Sequence, residues 1–182
     1  METSETAESI AVKRWVESVV VQLNLCPFAK RELAENRVRF TTTPATEEHT
    51  LLEAVACELR LLENQASIET TLLIHPHVLQ DFAGYNQFLD HAEELLRQMQ
   101  LEGTYQIAGF HPHYQFAGTA ASDAENYTNR APYPLLHLLR EDSLEAAIEN
   151  HPDTTAIPTR NIALMNQLGE KKLQSLISAC YG

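Results

Sequence analysis

The sequence predicts an α/β protein in which a small, mostly parallel sheet of three or four strands is flanked by helices in two or three layers. Three short runs of β-branched and apolar residues, 38–43, 70–74 and 105–110, alternate with longer segments whose apolar residues recur at helical spacing. Strands that alternate with helices are usually joined by right-handed crossovers, which make them parallel. A chain of 182 residues, 44% of them hydrophobic, is long enough to bury the core of one domain, so we expect a single domain over residues 1–182.

The first half of the chain is expected to form a helix, a strand, a second helix and a second strand. Residues 1–6 are polar and are expected to form a frayed tail. Apolar residues from Trp15 to Leu23 recur at helical spacing, and Pro27 stops the helix they predict. Thr46, followed by two glutamates, is the predicted N-cap of the second helix. The residues expected on the buried face of that helix are Leu51, Leu52, Val55, Ala56, Leu59 and Leu62.

The second half adds one helix, two strands and a helical C-terminal region. Apolar residues from Phe88 to Met99 predict the third helix, and Gly103 suits its C′ position. Residues 135–139 are a predicted fourth strand, which can join the sheet antiparallel as a hairpin partner of residues 105–110. A short helix is predicted to open at Asp142 and to end near Asn150. A final helical segment is predicted from about Thr159 to Ala179, with a break at Gly169.

Charge and cysteine content exclude several classes of protein. A formal net charge of −12 argues against binding nucleic acid or an anionic membrane surface, because both partners attract basic proteins. No apolar run reaches the roughly 20 residues that span a bilayer, and the acidic N-terminus does not resemble a signal peptide. Three cysteines, Cys26, Cys57 and Cys180, without CxxC spacing are typical of a reducing compartment. We expect a cytoplasmic protein, and the oligomeric state stays open.

Two of the predicted strands run directly into the tripeptide His-Pro-His, beginning at His75 and at His111. Ligands of open α/β sheets bind outside the carboxyl ends of parallel strands. If both strands are parallel, the two imidazoles emerge at one edge of the sheet. The long loop 111–133 begins at the same edge and carries Asp123 and Arg130. We therefore expect this edge to hold the functional site.

These residue types allow more than one chemistry. His75, His111 and Asp123 would suit a divalent metal such as Zn²⁺ or Fe²⁺, and they would equally suit acid–base catalysis. Asn126, Asn129 and Arg130 would then orient a small anionic substrate, with the arginine as a bidentate clamp. In the opposing interpretation the imidazoles bond backbone carbonyls and the asparagines hold their own loop together.

Two further interpretations stay open. Cys26 would be a nucleophile if its thiol lies within hydrogen-bond reach of His75 or His111, although buried thiols are usually inert. The chain would instead be a non-catalytic binding or assembly module if the loop 111–133 docks a partner protein. The aromatic residues available for such an interface are Tyr114, Phe116, Tyr127 and Tyr133. His137, between leucines, is expected to be a hydrogen-bonded core histidine.

Five segments resemble one family. They are LNLCPFAK at 23–30, TTLLIHP at 70–76, FHPHYQFAG at 110–118, ENYTNRAPYPLLHLLRE at 125–141 and RNIALMNQLG at 160–169. Together they resemble the bacterial family catalogued as domain of unknown function 1415, which has relatives in plants, over nearly the whole chain. The resemblance implies no particular reaction, and His77 and His113 depart from the family pattern. It implies that the pattern includes Cys26, His75, His111, Tyr114, Gln115, Asp123, Asn126, Asn129, Arg130, His137 and Glu141, which adds Tyr114 and Gln115 to the substrate-binding candidates.

Overall fold

A computed structural model of the chain describes residues 5–149 and 153–182 and consists of a four-stranded sheet with helices on both faces. The strands are β1 (Val38–Thr42), β2 (Thr70–Ile74), β3 (Tyr105–Phe110) and β4 (Leu135–Arg140). The helices are α1 (Ala7–Trp15), which continues as a π-helical segment over Val16–Val21, α2 (Ala29–Ala34), α3 (Glu48–Asn64), α4 (Phe82–Gln98), α5 (Glu141–Glu149), α6 (Ile157–Leu168) and α7 (Glu170–Ser178).

The sheet has the order β1-β2-β4-β3, and the prediction that it is mostly parallel is wrong. β1 pairs with β2 in parallel, but β4 pairs antiparallel with both β2 and β3. The expected hairpin pairing of the fourth strand with β3 is confirmed, in a register that joins Tyr105 to Arg140 and Phe110 to Leu135. The error has a topological cause. The long loop after β3 ends at the edge where it began, so the next strand has to run back in the opposite direction.

Because β4 is antiparallel to both of its neighbours, β1, β2 and β3 all run in the same direction. Their carboxyl ends therefore lie at one edge of the sheet, which we call the rim. His75 directly follows β2, and His111 directly follows β3. The insertion of β4 thus separates these two strands without moving either histidine from the rim.

Each face of the sheet has its own hydrophobic core. One core joins Leu73 of β2 and Leu136 of β4 to the buried faces of α3 and α4. The other joins Leu72 of β2 and Leu135 of β4 to α1, the π-helical segment, α6 and α7. Neighbouring residues of a strand point to opposite faces, so both cores use the same strands. The domain therefore has three layers.

Several predicted helix ends need correction. Thr6, expected in the tail, is the N-cap of α1 and accepts a hydrogen bond from the Ser9 amide, whereas residues 1–4 of that predicted tail and the predicted helix end near Asn150 lie outside the described residues. The second helix begins at Glu48 with Glu47 at its N-cap, one residue beyond the predicted Thr46. The C-cap of α4 is Met99, so Gly103 is not at its C′ position. The break at Gly169 is confirmed, since this residue has φ 75° between α6 and α7.

Candidate functional site

The two strand-end histidines lie together at the rim, against a single tyrosine of α4. The His75 ring stacks on the Tyr85 ring with centroids 5.7 Å apart and an interplanar angle of 15°. The His111 ring lies 5.0 Å from the same ring. Both imidazoles are fully buried. The sequence pattern thus located a real cluster, which we call the rim cluster and define as His75, Phe82, Tyr85, His111 and Tyr114.

The hydrogen bonds of His75 determine its tautomer. Its Nδ1–H donates to the Val78 carbonyl at 3.0 Å, so Nε2 carries the lone pair. That Nε2 atom is buried and has no hydrogen-bond partner among residues 5–149 and 153–182. Burial, together with the nearby His111, lowers the pKa of His75 to about 4. His75 is therefore neutral at physiological pH.

His111 uses both of its ring nitrogens within the chain. The His113 amide donates to Nδ1 at 3.0 Å, and Nε2–H donates to the Leu79 carbonyl at 3.1 Å. Burial also lowers the pKa of His111. An imidazole held in this way has no free lone pair for a metal or a proton.

Tyr85 fastens the rim cluster to the sheet. Its hydroxyl donates to the Leu135 carbonyl at 2.7 Å and accepts from the Phe110 amide at 2.8 Å, so it bridges β4 and β3 where both meet the rim. Gly109 leaves the space for this contact, because a Cβ at that position would lie 2.8 Å from the Tyr85 hydroxyl oxygen. Burial raises the pKa of Tyr85. The hydroxyl is thus a structural bridge that stays protonated.

The loop 111–133 is held together by the side chains that were expected to bind an anion. Asn126 is fully buried, and its Oδ1 accepts from the Phe116 amide and the Thr119 hydroxyl, both at 2.9 Å. Its Nδ2 donates to the Ala120 carbonyl at 2.8 Å. Asn129 donates to the Gly109 carbonyl at 3.1 Å and so ties the loop to β3. These contacts match the interpretation in which the amides organise their own loop.

Arg130 is also committed within the loop. Its Nε–H donates to the Tyr114 carbonyl at 3.0 Å, one Nη donates to the Ala121 carbonyl at 2.7 Å, and the guanidinium lies 4.6 Å from the centroid of the Tyr127 ring. The side chain is buried, so these bonds replace its hydration. Its geometry is that of a structural crosslink.

The remaining loop candidates are exposed and bond locally. Asp123 accepts from the Ala120 amide at 2.8 Å, and Gln115 donates to the Thr119 carbonyl at 2.6 Å. Within the part of the chain that the structure describes, no three His, Cys, Asp or Glu side chains are placed together to hold a metal ion. The donor set of His75, His111 and Asp123 therefore does not fit a metal centre as it stands.

A cavity with a volume of about 170 Å³ lies on the other face of the sheet. The polar residues in its lining include Glu32, Glu69, Thr70, His137, Arg140 and Ser143. It is enclosed by the sheet, the segment from Trp15 to Val20, α2 and α5. Its walls are mainly apolar. The lining residues are Trp15, Val16, Val20, Cys26, Phe28, Ala29, Glu32, Val38, Glu69, Thr70, Leu72, Phe110, His137, Leu139, Arg140, Ser143, Leu144 and Ala147.

Three residues that line the cavity, Trp15, Glu32 and Glu69, each have a buried polar atom without a hydrogen bond among the described residues. The atom of Glu32, Oε2, lies 3.3 Å from Arg37 Nε in an ion pair. The Trp15 side chain is 2% exposed, and its Nε1–H has no acceptor among the described residues. The Glu69 side chain binds Arg37 through Oε2, but its Oε1 has no donor within the same residues. Buried polar atoms are rarely left unpaired, because each one costs about 1–3 kcal/mol. A donor and an acceptor left unpaired on one cavity wall are the pattern expected of a ligand site.

His137 adds a third polar group to the cavity. Its Nε2 lies 2.7 Å from the Thr70 hydroxyl, which in turn donates to the Leu138 carbonyl at 2.6 Å. Because the hydroxyl proton is used, the histidine must be the donor, and its Nδ1 carries the lone pair. Burial lowers the pKa of His137 to about 4, so the ring is neutral. The expectation of a hydrogen-bonded histidine is met by this geometry, and the same ring lines the cavity.

The arginines beside the cavity are held by other groups of the chain, although the Nε of Arg37, ion-paired with Glu32, makes no hydrogen bond among the described residues. Arg140 donates to the Ile68 carbonyl, to the Tyr105 hydroxyl at 3.0 Å and to Leu62 at the end of α3. Arg37 is surrounded by three carboxylates, those of Glu32, Glu35 and Glu69. Although burial alone would lower it, these carboxylates raise the pKa of Arg37.

Cys26 is half-buried and lies in the wall of the cavity, away from the rim histidines. The imidazole that shares this cavity with it is His137. A pairing of the thiol with His75 or His111 has no support in this placement, because the rim cluster packs against α4 on the opposite face.

The functional candidates that sequence reasoning missed are Trp15 and Glu69. Trp15 fits the apolar repeat of the first helix, which gives no sign that its N–H lacks an acceptor. Glu69 directly precedes the fully buried strand β2. A carboxylate at such a position needs a partner, and this was the one signal in the sequence that could have identified Glu69 as a candidate. The helix α2, which closes one side of the cavity, was not predicted at all.

Fold and cavity together define an α/β protein with a mixed four-stranded sheet and a ligand-sized internal site. The chain belongs to the family described as protein of unknown function DUF1415, whose model matches residues 8–175. The predicted resemblance is thereby confirmed over nearly the whole chain. Neither the search of curated proteins nor the search of solved structures gave a match. Among the described residues, every helix is too short or too polar to cross a membrane.

Proposed function

We propose that this protein binds a small organic molecule in the cavity between the sheet and the helices α2 and α5, and that this cavity is its functional site. The observation that carries the proposal is the unpaired Trp15 donor and Glu69 acceptor on one apolar wall. A cavity of about 150 Å³ is known to accept a benzene ring. The volume of about 170 Å³ here therefore fits one ring with a short substituent.

The tryptophan content offers a direct test. Trp15 is the single tryptophan of the chain and lines the cavity, so its emission reports occupancy. We expect toluene and its substituted relatives to change the intensity and the wavelength of that emission in a saturable way. Saturable binding would support the proposal, and emission that does not respond to any of these probes would contradict it.

Two variants of one helix provide the matched control. Ala147 lines the cavity, whereas Ala146, its neighbour in α5, is exposed and does not line it. Ala147→Leu should fill part of the space and weaken binding by roughly tenfold or more, which is about 1.4 kcal/mol. Ala146→Leu should leave the affinity within a factor of about two. Equal effects of both substitutions would place the probe elsewhere.

A second candidate function keeps the rim as an acid–base enzyme site that acts on a small anionic substrate. The specific support is the lone pair of His75 Nε2, which is buried beside His111 without a partner. Its test is metal analysis of protein without a histidine tag, followed by the same analysis of a His75→Gln variant. Stoichiometric metal that is lost in the variant would replace acid–base chemistry with a metal-dependent site at the rim, whereas protein without metal would favour acid–base chemistry there.

We also propose a cytoplasmic location and no nucleic-acid partner. The support is that Cys26, Cys57 and Cys180 are all free thiols and that the net charge is −12. Fractionation of cells that produce the chain, together with the absence of retention on heparin at low salt, would test both statements.

A further inference from the structure

We infer that the ligand of the cavity is a small organic cation, an apolar amine whose protonated nitrogen is bound by the Glu69 carboxylate among the rings of Trp15, Phe28 and Phe110. This inference rests on the proposed function, because it specifies the ligand class of the same cavity. It also differs from the sequence-based expectation of an anionic substrate, which concerned the rim.

The hydrogen-bonding balance of the cavity calls for donors on the ligand. Glu69 Oε1 is an unpaired acceptor, and its side chain is only 10% exposed. His137 adds a second acceptor, Nδ1, for which no partner is recorded in the described part of the chain. Glu32 Oε2 also makes no hydrogen bond among the described residues, although it is ion-paired with Arg37 at 3.3 Å. Against these acceptors the described lining residues offer one unpaired buried donor, the Trp15 N–H. A ligand rich in N–H groups satisfies this excess, and one oxygen on the ligand would accept from Trp15.

The charges at the cavity favour a cation over a neutral donor. A protonated amine adds the attraction between opposite charges to its hydrogen bond with a carboxylate, which a neutral donor does not. The guanidinium donors of Arg140 already bond backbone carbonyls and the Tyr105 hydroxyl, so they do not offer an anion a binding site. Arg37 is bound by Glu32 and Glu69, both of which line the cavity. Because Glu32, Glu35 and Glu69 all surround Arg37, carboxylates outnumber the guanidinium there, and this excess negative charge favours an ammonium group over a carboxylate ligand.

The aromatic walls supply a second, independent preference for cations. Trp15 and Phe110 pack edge to face with ring centroids 5.4 Å apart, and Phe28 also lines the cavity. The faces of aromatic rings attract ammonium groups, and tryptophan does so most strongly. Rings grouped around a buried carboxylate are a recurring arrangement for recognising amines.

Three probes built on the same aromatic ring separate the effect of ligand charge from the effect of ligand shape. Benzylamine, toluene and benzoate share a six-membered ring and carry a positive, a neutral and a negative substituent at neutral pH. Each is titrated into the wild-type protein while Trp15 is excited at the red edge of its absorption. We expect benzylamine to bind at least about tenfold more tightly than toluene, and benzoate to bind more weakly than either.

A matched pair of variants assigns the preference to one carboxylate. Glu69→Gln keeps the size of the side chain and removes its charge, so it should abolish the preference for benzylamine over toluene. Glu58→Gln is the control, because Glu58 is also ion-paired, with Arg39 at 2.8 Å, is 12% exposed and does not line the cavity. It should keep the preference.

The outcomes distinguish the two proposals. Toluene that binds as tightly as benzylamine would overturn the cation inference and leave the proposed function standing. A preference for benzylamine that persists in Glu69→Gln would overturn the assignment to Glu69. If none of the probes binds, both proposals fail. The wild-type series decides the ligand charge even if the Glu69→Gln variant does not fold.

Discussion

The rim and the cavity both gather histidine, carboxylate and arginine side chains, yet their hydrogen bonding differs. At the rim, the polar atoms of Asn126 and Arg130 form hydrogen bonds with the backbone of the loop, and both ring nitrogens of His111 are hydrogen-bonded. At the cavity, Trp15 and Glu69 each keep a buried atom without a partner. The rim also has one unpaired buried atom, His75 Nε2, but the cavity lining combines an unpaired donor with an unpaired acceptor. A concentration of functional residue types can therefore mark a crosslinked loop, whereas an unpaired donor and acceptor on the lining of one cavity indicate a ligand site.

Replacing a rim side chain should therefore cost stability first. Asn126→Ala removes three hydrogen bonds and leaves the Phe116 amide, the Thr119 hydroxyl and the Ala120 carbonyl without their partner. We expect the free energy of unfolding to fall by about 4 kcal/mol, since each buried unpaired group costs about 1–3 kcal/mol. Urea unfolding followed by circular dichroism measures the change.

Asp123→Asn is the control for that experiment. Asp123 is exposed and caps a single amide, so its replacement should cost less than about 1 kcal/mol. A loss at Asn126 as small as the one at Asp123 would contradict the structural role of the rim asparagines and return them to the list of substrate-binding candidates.

The neutral state of His75 predicts a dependence of stability on pH. The pKa of His75 is about 4 in the folded protein, whereas a histidine of the unfolded chain takes up a proton near pH 6.5. The stabilisation is therefore complete above about pH 6.5 and falls as the pH drops from there to about 4, by about 3 kcal/mol. His75→Phe should remove this contribution to the pH dependence of the free energy of unfolding. Urea titrations at several pH values measure the change.

His137, whose pKa is also about 4 in the folded protein, and His111, whose pKa is lowered by burial, contribute to the remaining slope of the free energy of unfolding against pH. The His75→Phe variant should thus retain at least about half of the histidine contribution to the pH dependence. An unchanged slope would mean that His75 is protonated in the folded protein, and would favour the rim as an acid–base site.

The Tyr85 bridge can be probed with a pair of substitutions at the rim. Gly109→Ala places a methyl group 2.8 Å from the Tyr85 hydroxyl oxygen and should cost about 2 kcal/mol. Tyr85→Phe should cost about 2 kcal/mol, because the Phe110 amide and the Leu135 carbonyl lose their partner. The double variant should cost less than the sum, because removal of the hydroxyl makes room for the methyl group. Strict additivity in the double-mutant cycle would contradict the contact.

The smallest loss is expected at the cavity. Glu69→Gln should lower the free energy of unfolding by about 1 kcal/mol, since Oε1 has no bond to lose and Arg37 keeps Glu32 and Glu35. Thermal denaturation of this variant beside Asn126→Ala compares the two regions directly. A loss at Glu69 as large as the one at Asn126 would remove the distinction between a crosslinked rim and a ligand-ready cavity.

Local sequence was enough to find the strands and the histidines at their ends. β2 and β3 have the predicted bounds, and β1 differs by one residue. The direction of β4 was not accessible in this way, because the apolar pattern of a strand is the same in both directions. It depends on where the loop 111–133 returns to the sheet, which is set by tertiary contacts such as the bond from Asn129 to Gly109.

The cavity was inaccessible for a different reason. Trp15 and Glu69 are far apart in the sequence, and neither stands in a motif that indicates chemistry. What makes them candidates is the lack of a partner for one atom of each, which only the packed structure reveals. Residue type points to the chemistry that a side chain can perform, and packing decides whether the side chain is free to perform it.

The position of β4 also has a consequence for how the chain is made. β4 is the last strand in the sequence, yet it lies inside the sheet, between β2 and β3. On a ribosome, those two strands emerge first and hold their inner backbone amides open until residue 140 has left the exit tunnel. Unpaired strand edges recruit the strands of other chains. A fragment that ends before Leu135 therefore lacks the strand that covers both edges, and we expect it to aggregate instead of forming part of the domain.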